Sequence, residues 1–259
     1  MDQENVPKSI ESANVQAPEP KADAKPKRKS VPRKKASVQA AENAGDAESQ
    51  SEDSRVHSRN TVLLFGKYSY DVKISDPSLR NYVNLTPQEY PMSFRRGSQK
   101  QFSKADINII ERLENSLMRG GTGSKIGGHV IRTEGRLQGK KQKVLKIIES
   151  AFDRVSQKTN QNPIEILVRA LENSAPIEDT TRVRYGGIIS NVAVDVSASR
   201  RLDIALRNIA IAAIVGAFKK KRKIDEALAD ELILAANNDV NSYATKRKNE
   251  IERMARSAK

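Results

Sequence analysis

Cysteine is absent from the 259 residues of this chain, and histidine occurs only at His57 and His129. Without thiols the chain forms no disulfide and offers no cysteine ligands for zinc. The two histidines lie in polar or glycine-rich stretches, where an exposed loop position is the ordinary interpretation. Neither a Ser–His–Asp set nor a Cys–His set can be assembled plausibly from them. We therefore expect no metal site, no cofactor and no nucleophilic catalytic centre.

Aromatic side chains are scarce, at 4% of the residues, and tryptophan is missing. Proteins that bind single-stranded nucleic acid without sequence preference stack the bases on aromatic rings. This composition does not favour such a platform. If the chain binds nucleic acid, we expect contacts to phosphate, sugar and groove shape.

Long apolar runs are also missing, because no stretch of about 18 residues is free of charge, and a membrane-spanning helix is therefore not predicted. The first residues include Asp2 and Glu4 and lack the charged-then-apolar order of a secretory signal. An organellar transit peptide should be poor in acids, and this segment is not. We expect no membrane association and no small-molecule substrate.

What the chain has in excess is positive charge: 46 Lys and Arg against 32 Asp and Glu, a net charge of +14. Residues 1–60 carry 11 basic and 10 acidic side chains, so the remaining 199 residues carry a net charge of +13. Such a field attracts polyanions, since lysine and arginine displace the counterions of nucleic-acid phosphates. A membrane surface is the other polyanion, but the basic residues are spread over several predicted elements rather than along one amphipathic helix.

The chain divides into three predicted parts. Residues 1–58 are rich in Ala, Pro, Glu, Lys and Ser and are predicted to be disordered. Their dense basic run, residues 26–35, is interpreted as a nuclear import signal, an RNA-tethering tail or a plain solvated charge run. Residues 59–103 are predicted to be an extended segment, interrupted by prolines, that packs on a core or on a partner.

Residues 104–259 are predicted to form a helical domain. Apolar residues at helical spacing indicate six helices, and Pro163 suits the first turn of the third. The predicted helices span the range from Ser103 or Asp106 to Met118, then about 140–158, 163–174, 199–219 and 224–237, and a segment that begins after Ser242. The fourth has almost no polar face over Ile209–Ala217, so we expect it at the centre of the core.

A β-hairpin arm is predicted at 180–197, between the third and fourth helices. Thr181–Tyr185 and Val192–Val196 are the expected strands, and Gly186-Gly187 supplies the positive φ of a tight turn. Ser197 or Ser199 is expected to cap the following helix. The predicted fold class is therefore mainly α: a bundle of about six helices with a protruding β-hairpin arm and a disordered N-terminal tail.

Lysines crowd the predicted start of the second helix, at positions 140, 141, 143 and 146. Cations at a helix N-terminus oppose the helix dipole, so this arrangement points to ligand binding rather than to stability. Five cations follow the fourth helix at 219–223, more than capping requires. A basic run from Phe94 to Lys104 leads into the first helix.

Two stretches could suggest a phosphate-binding loop or a pair of catalytic carboxylates, but neither has the pattern that such a site requires. The glycine-rich segment 119–139 lacks the Gly-Lys-Ser/Thr of a phosphate loop and follows a helix instead of a strand. We interpret it as a flexible loop, with backbone contact to RNA as the alternative. The neighbouring carboxylates Glu178-Asp179 and Asp230-Glu231 are interpreted as solvated acids. We therefore expect that the chain is not an enzyme.

Several strings in this chain resemble the universal small-subunit ribosomal protein seven family, in its eukaryotic or archaeal form. The longest is NPIEILVRALENSAPIEDTTR, residues 162–182. The others are Val194–Ser197, Arg200-Arg201, Leu228–Leu232, Asn241–Ala244, Arg253–Ala255 and, upstream, Leu64–Tyr68 and Asp76–Tyr82. The resemblance covers about Leu63 to Lys259.

The resemblance implies a structural protein of the small ribosomal subunit. Family members bind the 3′ major domain of small-subunit rRNA and nucleate assembly of the head. Their arm reaches toward the exit-site tRNA and the mRNA exit path, beside ribosomal protein eleven and other head proteins. Localisation on cytoplasmic ribosomes, with nuclear and nucleolar transit during assembly, follows from the same resemblance.

Basic residues at family-like positions are the expected rRNA contacts, made mostly to phosphate and 2′-hydroxyl groups. They are Arg95, Arg96, Lys104, Arg119, Lys125, Lys140, Lys141, Lys143, Arg200, Arg201, Lys219, Lys220, Lys221, Arg222, Lys246, Arg247 and Lys248. The expected contacts on the tRNA and mRNA side of the arm are Arg182, Arg184, Tyr185, Gly186 and Gly187. Two departures stand out: the loop Arg119–Gly139 is longer than the family pattern, and the arm tip, Tyr185–Ile189, is less basic.

The main alternative is a non-ribosomal nucleic-acid-binding protein, associated with chromatin or mRNA, that uses the same fold. It would bind duplex DNA comparably and would not co-sediment with small subunits. An enzyme is the third hypothesis, and it would need a pocket with perturbed acids or a metal ion.

Overall fold

A computed structural model describes residues 62–93, 102–121, 123, 125–126, 130–133 and 135–259. The predicted disordered tail 1–58, with its basic run, lies outside the described residues. So do Arg95, Arg96 and both histidines.

The described chain contains six helices and one two-stranded antiparallel sheet, which confirms the predicted mainly α class. In chain order they are α1 (Ile109–Met118), α2 (Lys141–Thr159), α3 (Pro163–Ser174), β1 (Glu178–Tyr185), β2 (Ile188–Asp195), α4 (Ala198–Ala217), α5 (Ile224–Ala236) and α6 (Tyr243–Ser257).

Capping side chains mark three of the six helix starts. The side chains of Asn108, Asn162 and Ser242 accept hydrogen bonds from backbone amides in the first turns of α1, α3 and α6. Pro163 occupies the first turn of α3, as predicted. Ser197 precedes α4 in the capping position, but its side chain makes no capping hydrogen bond.

Two helix boundaries differ from the prediction. Residues 102–106 form turns, and α1 begins only at Ile109, since Asn108 is the residue that caps it. The fourth helix ends at Ala217 rather than near residue 219. Lys219 has a φ of +54°, a left-handed conformation that stops a helix.

The core is built around α4, which contacts α1, α3, α5 and α6. Eleven of its 20 residues are buried, among them Leu202, Leu206 and Ile209. Near its end, a Cβ on Gly216 would lie 3.0 Å from the Cβ of Ala227, so glycine permits the close approach of α5. The central position predicted for this helix is confirmed. None of the described helices has the length and apolarity needed to cross a membrane.

Residues 62–93 pack on the helices as an extended strap. Leu64 and Leu79 are completely buried and belong to the same core as α1–α5. The Tyr68 hydroxyl donates to Asp153 Oδ1 of α2 at 2.6 Å, and its ring meets that of Phe152 edge-on, with centroids 6.5 Å apart. Of the two surfaces considered for this segment, core or partner, it covers the core.

The hairpin is paired without interruption from Glu178–Asp195 at its base to Tyr185–Ile188 at its tip. Gly186 and Gly187 both have positive φ, at 55° and 88°, and form the two-residue turn predicted for them. The second strand begins at Ile188 instead of Val192, since so tight a turn lets pairing start immediately.

Replacing Phe152 with Ala should lower the free energy of unfolding by about 3–5 kcal/mol. The ring projects from α2, is fully buried and meets Tyr68 of the strap. Urea denaturation followed by circular dichroism measures the change. Val240, which is 74% exposed, supplies the control, and Val240→Ala should stay within about 0.5 kcal/mol of the native chain. Equal midpoints for the two variants would contradict this packing.

Candidate nucleic-acid interface

One stripe of the central helix α4 reaches the surface at Arg200, Ile204 and Arg207 and ends at the buried Ile211. Arg200, Ile204, Arg207 and Ile211 follow the four-three-four spacing of a single helix face. These four residues line two adjoining clefts of about 520 Å³ and 760 Å³. The two clefts form one groove along the helix, called here the α4 groove.

The walls of the α4 groove come from distant parts of the chain. One wall contains α1, the turn before it and the glycine-rich loop, including Lys104, Arg119 and Gly121. The opposite wall is the α6 face that carries Tyr243, Lys246 and Arg247, with Lys125 nearby. The structure thus brings together six predicted RNA contacts, which line the groove: Lys104, Arg119, Lys125, Arg200, Lys246 and Arg247. Lys248 lies on the same helix as the last two but does not line the groove. Arg207, at its centre, was missed by the sequence analysis.

The acids of the α4 groove are already engaged by cations. Asp203 lies 2.9 Å from Arg112 and 3.1 Å from Lys104. Burial alone would raise the pKa of Asp203, but its hydrogen bonds to these two cations outweigh burial, so the pKa is lowered. Asp179 pairs with Arg200 at 3.4 Å, and Glu250 pairs with Arg247 at 2.8 Å.

Other cations of the groove make no ion pair with any described residue, so the surface keeps its positive charge. They are Arg119, Lys125, Arg207 and Lys246. Apolar side chains such as Ile204 and Met254 lie between the charges. A surface of this kind suits phosphates at the rim and sugar or base edges at the floor.

The glycine-rich loop closes one end of the α4 groove by packing on itself. A Cβ on Gly121 would lie 2.8 Å from the Ile131 carbonyl oxygen, and one on Gly120 would collide with the side chain of Thr133. Both glycines have positive φ. In its described part, this loop therefore needs glycine for close backbone approach, and no phosphate-loop geometry is present.

The lysines at the start of α2 have two different environments. Lys140 and Lys143 are exposed and without an ion pair among the described residues. Lys141 Nζ lies 2.6 Å from Glu111 Oε1 and 3.8 Å from Glu114 Oε2, both on α1 and both buried. Lys141 is therefore committed to an interior ion pair with Glu111, and its expected phosphate contact stays a prediction.

A second basic cleft lies at the other end of α4. Exposed Lys219 and Arg222 border it with Lys143, around an apolar floor that includes Phe218. Lys220 and Lys221, in the same linker, are also exposed. Arg222 is partly committed, since it pairs with Asp230 and donates to the Glu226 carbonyl. The cleft also contains Lys223, the last of the five cations at 219–223, and Arg132 and Arg136, which the sequence analysis did not single out.

Arg200 and Arg201, expected to act alike, lie on different sides of α4. The side chain of Arg200 is 66% exposed, whereas that of Arg201 is 10% exposed. Consecutive residues on a helix do not share a face, and all three guanidinium nitrogens of Arg201 bond within the protein. We therefore leave Arg201 out of the candidate interface.

The arm has two different faces. Arg182 pairs across the strands with Asn191 and Arg184 with Ile189, so one face carries both arginines and has Ile189 near the tip. Val183 and Tyr185, opposite Ser190 and Ile188, form the other face, which is mainly apolar. Tyr185 is 85% exposed and Ile188 75% exposed. Nothing in the described chain covers either face near the tip.

Known proteins are similar to this chain over most of its length. The family model described as ribosomal protein S7p/S5e matches residues 80–259. The chain belongs to this family. The small ribosomal subunit protein uS7 of Cenarchaeum symbiosum (strain A) is similar, with 43% identity over 199 residues that cover 76% of this chain and 97% of the relative.

Membership of the S7p/S5e family confirms the resemblance drawn from the sequence. Its members are structural, non-enzymatic ribosomal components, and rRNA binding and translation are typical of them. The matched range contains the groove, the second basic cleft and the arm, while residues 62–79 of the strap precede it. Within the described residues, no cluster of acids or histidines is arranged to hold a metal ion.

The Glu111–Lys141–Glu114 cluster makes the stability of the fold depend on pH. Burial raises the pKa of Glu114 from an ordinary 4.5 to about 8, Lys141 opposes the rise, and Glu111 adds to it. A carboxyl with a higher pKa in the folded chain stabilises the fold fully below its ordinary pKa. This contribution is lost as the pH rises toward 8. Stability should therefore fall by up to about 1.4 kcal/mol per pH unit in this window.

Glu114→Gln should flatten that slope, because the amide does not ionise. Urea unfolding at a series of pH values from about 5 to 8 measures it. Glu165→Gln, at an exposed position on α3, is the matched control and should keep the native slope. A Glu114→Gln variant with an unchanged slope would remove Glu114 as the cause.

Proposed function

We propose that this chain is a structural protein of the small ribosomal subunit that binds the 3′ major domain of small-subunit rRNA and helps assemble the head. The continuous α4 groove carries the proposal, because its acids are paired internally and its remaining cations face outward. Membership of the S7p/S5e family supports the ribosomal setting.

The groove joins chain segments that are far apart in sequence, which suits an assembly protein. RNA that fills it would contact α1, the glycine-rich loop, α4 and α6 together. Binding of this kind reads the shape of folded RNA, because the correct spacing of several phosphates is needed at once. Lys140 and Lys143 and the second basic cleft add further contacts around the same body.

The arm is assigned to the exit-site tRNA and the mRNA exit path, beside ribosomal protein eleven. Its basic face, with Arg182 and Arg184, suits RNA, and its apolar face, with Tyr185 and Ile188, suits a protein neighbour. The tip carries glycines rather than cations, so contact there is expected to be by shape.

We further propose that the chain works on cytoplasmic ribosomes and passes through the nucleus and nucleolus during assembly. The basic run at residues 26–35 supports import, as a candidate signal in the sequence. Sucrose-gradient sedimentation of a lysate in low and high salt tests the ribosomal assignment. The chain should remain with the small subunit through the salt wash. Recovery at the top of the gradient in both salts would favour a free nucleic-acid binder.

Replacing Arg207 and Lys246 together with Ala should weaken binding to 3′ major domain rRNA and reduce its salt dependence. Removal of one phosphate-binding cation lowers the slope of log K against log salt by about 1, so a change of about 2 is expected. Filter binding at several salt concentrations measures it. Arg169→Ala, which removes an exposed arginine on α3 paired with Glu165, should leave the slope unchanged. A native slope in the double variant would exclude this groove.

The lysines of α2 allow a sharper comparison. Lys140→Ala with Lys143→Ala should lower the salt slope and leave stability nearly native, because both side chains are exposed. Lys141→Ala should do the reverse, since it leaves Glu111 and Glu114 buried without their cation. Filter binding and urea unfolding on the same samples separate the two effects. If the double variant and Lys141→Ala showed the same salt slope and the same stability, the distinction between these lysines would be refuted.

A further inference from the structure

The direction of the arm depends on its root, because its outer part is exposed throughout. All residues from 181 to 192 are exposed. This segment is a two-stranded ribbon, and the arm's side-chain bonds to the body lie at its base, at Glu178 and Asp179. The contacts at the base of such a ribbon therefore set its direction.

Buried Arg201 occupies that base. Its Nε donates to the Pro176 carbonyl oxygen at 3.2 Å, two residues before β1 begins. Its Nη2 donates to Asp76 Oδ2 at 2.9 Å, and its Nη1 donates to Ser78 Oγ. One guanidinium therefore connects the first turn of α4, the entry to the arm and the strap.

The strap is itself held in place at this point. The backbone amides of Ser75 and Asp76 donate to Glu172 Oε1 near the end of α3, at 2.6 Å and 3.0 Å. The amide and the hydroxyl of Ser78 donate to Asp76 Oδ1. Burial would raise the pKa of Asp76, but the hydrogen bonds from Ser78 and Arg201 prevail and lower it. The carboxylate is thus kept charged for Arg201.

The arm is inserted between the end of α3 and the start of α4, and the strap binds both. Glu172 lies on the α3 side of the insertion and Arg201 on the α4 side. We infer that Asp76, Ser78, Arg201 and the Pro176 carbonyl form a latch by which the N-terminal strap sets the direction of the arm. Arg201 is a positioning residue, and the strap, distant in sequence, is part of the arm's foundation.

A second anchor holds the other side of the root. Glu252 of α6 accepts a hydrogen bond from the Ile177 amide at 3.2 Å. This contact does not involve the strap, so it provides the competing explanation: α6 alone would direct the arm. The inference goes beyond the proposed function, since it concerns the free chain and does not depend on RNA binding.

Spin labels on the full-length chain test the latch. The native chain has no cysteine, so Ser190→Cys near the arm tip and Gln157→Cys on α2 give one defined label pair at exposed positions. Gln157→Cys with Asn237→Cys gives a reference pair within the body. Pulsed electron paramagnetic resonance reports both distance distributions in free protein.

Arg201→Met and Asp76→Asn should shift or broaden the arm distance while the reference distance stays native. Strands of eight residues are about 27 Å long, so a tilt of about 10° moves the tip by about 5 Å. Ser78→Ala, at an exposed position, should act in the same direction and keeps the test decisive if Arg201→Met does not fold. Arg169→Met, which breaks an ion pair within α3, should change neither distance.

An arm distance that stays native in folded Arg201→Met, Asp76→Asn and Ser78→Ala would overturn the latch. A shift seen only with Glu252→Ala, which removes the acceptor of the Ile177 amide, would assign the arm's direction to α6 and also overturn it. Equal broadening of the arm and reference distance distributions would mean that Arg201 stabilises the whole fold, and it would also overturn the latch. None of these outcomes depends on whether the α4 groove binds rRNA.

Discussion

The burial of α4 is the constraint on which the rest of the molecule depends. Four helices pack around it, and eleven of its 20 residues are buried, most of them apolar. A helix enclosed in this way has little surface left to present. The stripe from Arg200 to Arg207 remains accessible, and it lies at the bottom of a groove. The candidate RNA interface is a consequence of how the core closes.

The positive field of this surface follows from where the acids are placed. Glu111 is buried and paired with Lys141, burial raises the pKa of Glu114 to about 8, and Asp203 is shared by Arg112 and Lys104. Interior ion pairs of this kind are costly to desolvate and contribute little net stability. Their effect here is on the distribution of charge, because they withdraw negative groups from the outer surface and leave several cations without partners.

Local patterns in the sequence were sufficient for much of the fold. Helical spacing located six helices, Pro163 marked the start of α3, and the glycine pair predicted the turn of the arm. The bounds were harder to predict: the start of α1 depends on the Asn108 cap, and the second strand begins as soon as the turn closes. The predicted division of the chain into domains stays a prediction.

The candidate site was harder to predict because its contents depend on long-range packing. Lys140 and Lys141 are neighbours in sequence, yet only Lys141 faces the acids of α1. Arg200 and Arg201 diverge for the same reason. Arg207 lies in an apolar helix and carried no local signal, since its role appears only when α6 and the glycine-rich loop form the walls beside it. The predicted RNA contacts as a set stay a prediction.

The two-stranded arm has a consequence for the protein before it reaches its partners. In a sheet of only two strands, both are edge strands, and each has a row of backbone groups available for pairing with another chain. Tyr185, Ile188 and Ile189 add exposed apolar surface at the tip. The free chain therefore carries an aggregation hazard, opposed by its positive charge, and the docking of the arm proposed above would remove it.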